Sequence, residues 1–265
     1  KPVGYVLRGG GKRLRPLLAI FSAEACGGCK DDVFSAALAV ELLHNFTLVH
    51  DDIMDKDHIR HGQETVHEKW DDGIALLTGD AMLSLALRLL NQSPVSRYTQ
   101  MKIFINGLLA VCEGQALDKE YETNDKVTID DYIDMIDLKT GHIIGLASEL
   151  GALSAEVNKK IRLAIRDYGR LIGRAFQIQD DYLEIFSDSN NMGKSLESDI
   201  VLCKKTFLMI QAMKKNSRFV KSLIKIARTD FEKGIREIRK YVESEGIIDV
   251  TRKEIDTIIQ LADEK

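Results

Sequence analysis

Scarcity of proline constrains this chain more than any other feature. Across 265 residues the prolines are Pro2, Pro16 and Pro94, so the stretches 17–93 and 95–265 contain no residue that forbids helix. Nearly every long segment within them repeats its apolar residues with the helical period. Residues 33–49 place Phe34, Ala37, Leu38, Val40, Leu42 and Phe46 on a broad apolar face, and 132–153, 161–184 and 219–242 behave alike. Alternating strand-like runs are scarce, and the one Asn-Gly dipeptide, Asn106-Gly107, lies inside a helical pattern. Boundaries are expected at Ser93-Pro94, at Thr128 with Asp131 three residues on, and in the polar run 188–193. No repeat, linker or shift of composition divides the chain, so 1–265 reads as a single all-α domain whose helices pack around a shared interior. It begins at Lys1 without a methionine, and the N-terminus is expected to be truncated.

Composition narrows the classes. A hydrophobic content of 45% with 29% charged residues is ordinary for a soluble globular protein. The net charge of -4 argues against nucleic acid as a partner, which needs a broad basic face. No transmembrane segment is expected, because the richest apolar run, 74–90, is interrupted by Asp80 and Arg88. Cys26-Gly27-Gly28-Cys29 has the C-x-x-C spacing. No second ligand pair follows at zinc spacing, and the pair comes after a helical run instead of a strand, so it reads as a loop between helices. Free cysteines fit a cytoplasmic protein.

Three clusters carry chemistry. Asp51-Asp52-Ile53-Met54-Asp55 sets Asp51 and Asp55 on one face of a helix, four residues apart. Like charges at that spacing repel unless something neutralises them, and a hard divalent cation with oxygen ligands would do so. A solvated acidic helix end is the bland alternative. Phe176-Gln177-Ile178-Gln179-Asp180-Asp181-Tyr182-Leu183-Glu184 repeats the theme on another helix. Two such clusters facing across a cavity can clamp a diphosphate through bound metal. Gly9-Gly10-Gly11-Lys12-Arg13-Leu14-Arg15-Pro16 places three cations after a glycine turn, near the start of a helix, where phosphate groups are readily held. It is not a Walker A loop. Gly193-Lys194-Ser195 imitates the end of one, but Asp188 stands where the first glycine is required.

Together these motifs resemble the three hallmarks of the trans-isoprenyl diphosphate synthases, in the expected order and spacing from about residue 5 to 206. The resemblance implies an all-α bundle of about ten or more helices around a central active-site cavity. It also implies a homodimer that uses Mg2+ and condenses isopentenyl diphosphate with an allylic diphosphate. By that resemblance Asp51, Asp55, Asp118 (within Gly114-Gln115-Ala116-Leu117-Asp118) and Asp180 bind metal, with Asp52 and Asp181 beside them. Lys12, Arg15 and His44 hold isopentenyl diphosphate. Arg60, Lys139, Lys194 and Lys204 meet the allylic diphosphate, and Thr140 and Gln177 face the developing carbocation. A non-catalytic partner subunit and a class I terpene cyclase are the alternatives.

The chain also departs from the family pattern. His61 replaces the second of two adjacent arginines that help bind isopentenyl diphosphate, and its charge depends on protonation. Glu184 replaces the last aspartate of the second cluster, and Ala262-Asp263-Glu264-Lys265 lacks a basic tail. Phe46, five residues before Asp51, matches the position whose bulk floors the product tunnel. Its surroundings resemble archaeal geranylgeranyl diphosphate synthases, so the expected product is geranylgeranyl or farnesyl diphosphate. An offset of about 140° from Asp51 means helical geometry alone does not put Phe46 on the same stripe. Gly169 and Gly173 suggest close helix packing without chemistry of their own.

Overall fold

A computed structural model describes residues 1–186 and 204–265. Its helices run in order α1 (Pro2–Arg8), α2 (Leu14–Ala25), α3 (Lys30–Asp55), α4 (Val66–Lys69), α5 (Asp72–Asn91), α6 (Arg97–Thr123), α7 (Ile129–Ile136), α8 (His142–Ser154), α9 (Lys159–Phe186), α10 (Phe207–Thr229), α11 (Phe231–Ser244) and α12 (Ile247–Asp263). A π-helical turn, Asp137–Gly141, joins α7 to α8. The all-α architecture with ten or more helices is therefore present.

Local chemistry sets the ends. Thr128 and Asp131 form a reciprocal capping box at α7: the Thr128 hydroxyl accepts from the Asp131 amide at 3.2 Å, and the Asp131 carboxylate accepts from the Thr128 amide at 2.8 Å. Helix α3 stops at Lys56, which takes a left-handed conformation (φ 55°). Its last turn thus carries Asp51, Asp52 and Asp55 against the negative end of the helix dipole, a placement that calls for nearby cations. The 219–242 pattern does not continue as one helix. Asp230 adopts extended backbone (φ -147°, ψ 90°), and its side chain accepts from the Lys233 amide to start α11. Asn216 breaks the helical geometry inside α10.

One apolar core gathers α2, α3, α5, α6 and α8, and two others gather α9 with α10–α12 and α7 with α9, α10 and α12. On α3 the buried stripe is Val33, Ala36, Ala37, Val40, Leu43 and Val49, while Phe34 and Leu38 are exposed at 55% and 38%. The expected apolar face was too broad, because α3 presents its opposite side to α2, α5 and α8. A two-strand hairpin, β1 (Ile59–Arg60) and β2 (Gln63–Glu64), follows α3. Its turn is His61-Gly62, both at positive φ (51° and 73°), the conformation a tight hairpin demands.

The apolar run of α5 is interrupted by Asp80 and Arg88, as expected. By length and composition α3 and α5 are both apolar enough to cross a membrane. In α3 most of the apolar window, 61%, is buried in the core. In α5 only 33% is buried, which leaves an exposed apolar face.

Candidate active site

Glycine contacts let three segments meet at the site. A Cβ on Gly114 of α6 would lie 2.5 Å from the Lys139 amide nitrogen, and one on Gly173 of α9 would lie 2.7 Å from the Gly141 Cα. The π turn therefore runs between α6 and α9 with its backbone against both, closer than any side chain permits. From that turn Lys139 reaches α6 and donates to Asp118 at 2.6 Å. Thr140 reaches α9 and donates to Gln177 Oε1 at 2.7 Å. Gly169, one turn before Gly173, faces Ser148 and Gly145 in the same close manner.

The first aspartate cluster divides its labour. Asp55 accepts from Lys204 at 2.8 Å and from Lys119 at 3.3 Å. Burial alone would raise its pKa, but the Lys204 and Lys139 charges and the Lys204 bond hold it below the usual value. Asp51 is pushed up, by burial first and by the Asp55 charge, against the pull of Lys139. Asp52 turns the other way and accepts from Arg60 Nε, while Asp57 accepts from Arg60 Nη2 at 3.2 Å. Burial still pushes Asp52 up to about 6. Arg60 is thus seated between two buried carboxylates, with its charge fixed by them.

In the second cluster Asp181 is buried and accepts from Tyr132 Oη at 2.7 Å and Gln177 Nε2 at 2.8 Å. Burial and the neighbouring Asp181 charge hold the Tyr132 pKa well above its ordinary value, so the phenol stays protonated and donates. A chain of bonds consequently runs Thr140 to Gln177 to Asp181, with Tyr132 donating at its far end. Asp180 is half-buried, and its charge acts on Arg15.

Arg15 Nη1 lies 3.0 Å from His44 Nε2. An arginine only donates, so that nitrogen accepts and the neutral ring carries its proton on Nδ1. Burial first, then the Arg15 and Arg60 charges, hold the His44 pKa well below the usual histidine value. Burial also lowers Arg15, to about 10, and its buried Nε has no hydrogen-bond partner among the described residues. The loop before it is pinned by Arg13, which donates to the Leu7 and Gly9 carbonyls at 2.9 Å and pairs with Glu41 of α3. Lys12 is exposed on that loop. His61 sits beside it, since its Cβ would lie 3.6 Å from a Cβ on Gly10.

The structure thus gathers Asp51, Asp55, Asp118, Lys139, Thr140, Gln177, Asp181 and Lys204, pairs Arg15 with His44 where the Asp180 charge acts on Arg15, and seats Arg60 on Asp52. Lys194 lies outside the described residues. Phe46 is buried in the core with its ring 4.6 Å from that of His50, which occupies the space above Gly79 of α5. Sequence reading missed Tyr132, Lys119, Asp57 and the Arg13–Glu41 pair. Only the Asp57 carboxylate near Arg60 left a readable trace, three positions away on the same segment.

Among the described residues no three carboxylates, histidines or cysteines converge tightly enough to cage a metal ion. The donor set nevertheless suits magnesium, which takes a few carboxylates and completes its shell with water and phosphate oxygens. Asp51 supports this fit, because its half-buried carboxylate stands one helical turn from that of Asp55, a like-charge pair that a cation would relieve.

Residues 1–243 match the polyprenyl synthetase family. A short chain isoprenyl diphosphate synthase of Methanothermobacter thermautotrophicus is 38% identical over 91% of this chain and 75% of its own length. A geranylgeranyl diphosphate synthase of Saccharolobus solfataricus is 36% identical over 97% of this chain and 80% of its own. Among solved structures, a geranylgeranyl pyrophosphate synthase superposes with a TM-score of 0.91 at 40% identity, covering 98% of this chain and 82% of that one.

Proposed function

The chain belongs to the polyprenyl synthetase family, and from that premise we propose that it is a short-chain trans-prenyltransferase joining isopentenyl diphosphate to an allylic diphosphate. The observation that supports this most is the interleaving of lysines and aspartates. Lys139 and Lys204 come from distant parts of the chain, and their charges meet those of Asp51, Asp55 and Asp118. A diphosphate is the guest that needs both sets at once. Asp51, Asp55, Asp118 and Asp180 would hold magnesium, which supplies the positive charge that a departing diphosphate requires.

The protein's own residues supply the rest. Lys139 and Lys204, joined by Lys194, grip the allylic diphosphate and stabilise charge as its carbon–oxygen bond breaks. Arg60, already seated on Asp52 and Asp57, presents a fixed charge at the edge of the same guest. Thr140 and Gln177 turn oxygens toward the allylic cation. Lys12, Arg15, His44 and His61 hold isopentenyl diphosphate so that its double bond attacks that cation. The neutral His44 accepts from Arg15 and keeps the guanidinium aimed, leaving the Arg15 Nε, unpartnered among the described residues, for the substrate. Loss of a proton then gives a product one isoprene unit longer. A terpene cyclase would have no use for this second, basic subsite.

Phe46 floors the tunnel, and the products are geranylgeranyl or farnesyl diphosphate. The working form is a homodimer in the cytoplasm, a compartment compatible with the free thiols of Cys26, Cys29 and Cys112. Purified protein given magnesium, labelled isopentenyl diphosphate and dimethylallyl, geranyl or farnesyl diphosphate in turn is expected to elongate the primer and to stop doing so with chelator. Phe46→Ala is expected to lengthen the product. Folded protein that elongates no primer would contradict the reading, and an unchanged product from Phe46→Ala would remove Phe46 from it.

A further inference from the structure

Asp137 lies two residues before Lys139 and has no assigned part in holding either substrate, yet it is buried and draws two arginines from another helix. Its Oδ1 accepts from Arg170 Nε at 3.2 Å and from Arg174 Nε at 2.9 Å, and its Oδ2 is paired with Arg170 Nη2. His142 Nε2 stands 3.8 Å away. We propose that Asp137, clamped by Arg170 and Arg174, is a positioning residue that holds the π turn against α9 and so sets the reach of Lys139 and Thr140 into the site. The inference rests on the synthase reading for what those two residues do.

The geometry argues for a clamp. A π turn is a rare form that must be over-determined by its surroundings to persist. Relaxing residues 137–141 to regular α-helix would remove one residue from the turn and rotate the start of α8 by about 100°. Lys139 would then leave Asp118, and Thr140 would leave Gln177. Two ties to α9 oppose that rotation: Asp137 on Arg170 and Arg174, and Thr140 on Gln177, one turn further along the same helix. Lys139 is thereby directed to the other side, toward α6. The carboxylate is well suited to the task. Burial would raise its pKa, but the bonds from Arg170 and Arg174 hold it low, so it stays charged. The contact is also close-built, since a Cβ on Gly141 would lie 2.6 Å from Asp137 Oδ1.

The test compares wild type with Asp137→Asn, Arg174→Met and the double variant. Each single change is expected to raise the allylic KM about tenfold while the isopentenyl diphosphate KM, set by Lys12 and Arg15, stays within about twofold. The double variant is expected to be no worse than the worse single one, as for residues acting as a unit. Amide hydrogen exchange over residues 137–142 is expected to quicken in each variant without change in α2 or α12. A merely stabilising residue would lower the active fraction and leave the allylic KM alone. An unchanged allylic KM, or both KM values rising together, would overturn the proposal. If Asp137→Asn does not fold, Arg174→Met carries the same comparison. If wild type elongates nothing, it is the synthase reading that fails, and unchanged exchange in Arg174→Met would still overturn the clamp.

Discussion

Asp51, Asp52 and Asp55 stand within one turn of α3 yet keep different company. Asp55 meets Lys204 and Lys119, Asp52 meets Arg60, and half-buried Asp51 feels the Asp55 and Lys139 charges in opposite senses. The motif's residue types were legible in the sequence because carboxylates at that spacing repel. Lys139 and Lys204 were assigned to the same site only through the family resemblance, because the fold and not the local pattern brings them to these carboxylates. Tyr132 was invisible for a related reason: on a helix face it reads as one more apolar residue, and only the structure shows its hydroxyl bonded to Asp181. Tyr132→Phe leaves the ring and removes that donor. Denaturant unfolding is expected to register a loss of about 1–3 kcal/mol. Stability equal to wild type would mean that the bond does not hold Asp181 in place.

At the scale of elements, proline scarcity and helical periodicity foretold the helices, and the Thr128–Asp131 pair foretold a boundary to the residue. The π turn and the hairpin escaped notice. A π turn leaves no periodic mark across five residues, and the hairpin is built on His61-Gly62 instead of an Asn-Gly pair. Periodicity also cannot say which apolar residues face a partner. Leu76, Leu77 and Leu85 of α5 and Ile105 and Leu109 of α6 are exposed, Leu77 at 65% and Leu109 at 62%. If the proposed homodimer forms, exposed apolar residues on these neighbouring helices are where its seam is expected. Leu77→Glu combined with Leu109→Glu is expected to shift sedimentation from dimer to monomer while helix content by circular dichroism is kept. A charged variant that still sediments as a dimer would place the interface elsewhere.

For the whole molecule, the central claim is that segments far apart in sequence build one active site for two diphosphates. The second cluster on α9, the first turn of α2, the acidic end of α3, Asp118 of α6 and the π turn each contribute charges that act on others among them. None of these segments holds a diphosphate alone, and among the described residues no metal cage exists without the guest. Binding should accordingly require both aspartate clusters and magnesium together. The most direct measurement is calorimetric titration with an allylic thio-diphosphate, which binds without reacting, with and without magnesium. Wild type is expected to bind it only with magnesium, and Asp55→Asn and Asp180→Asn are each expected to lose that binding. Equal binding without magnesium, or full binding after loss of either cluster, would contradict the account.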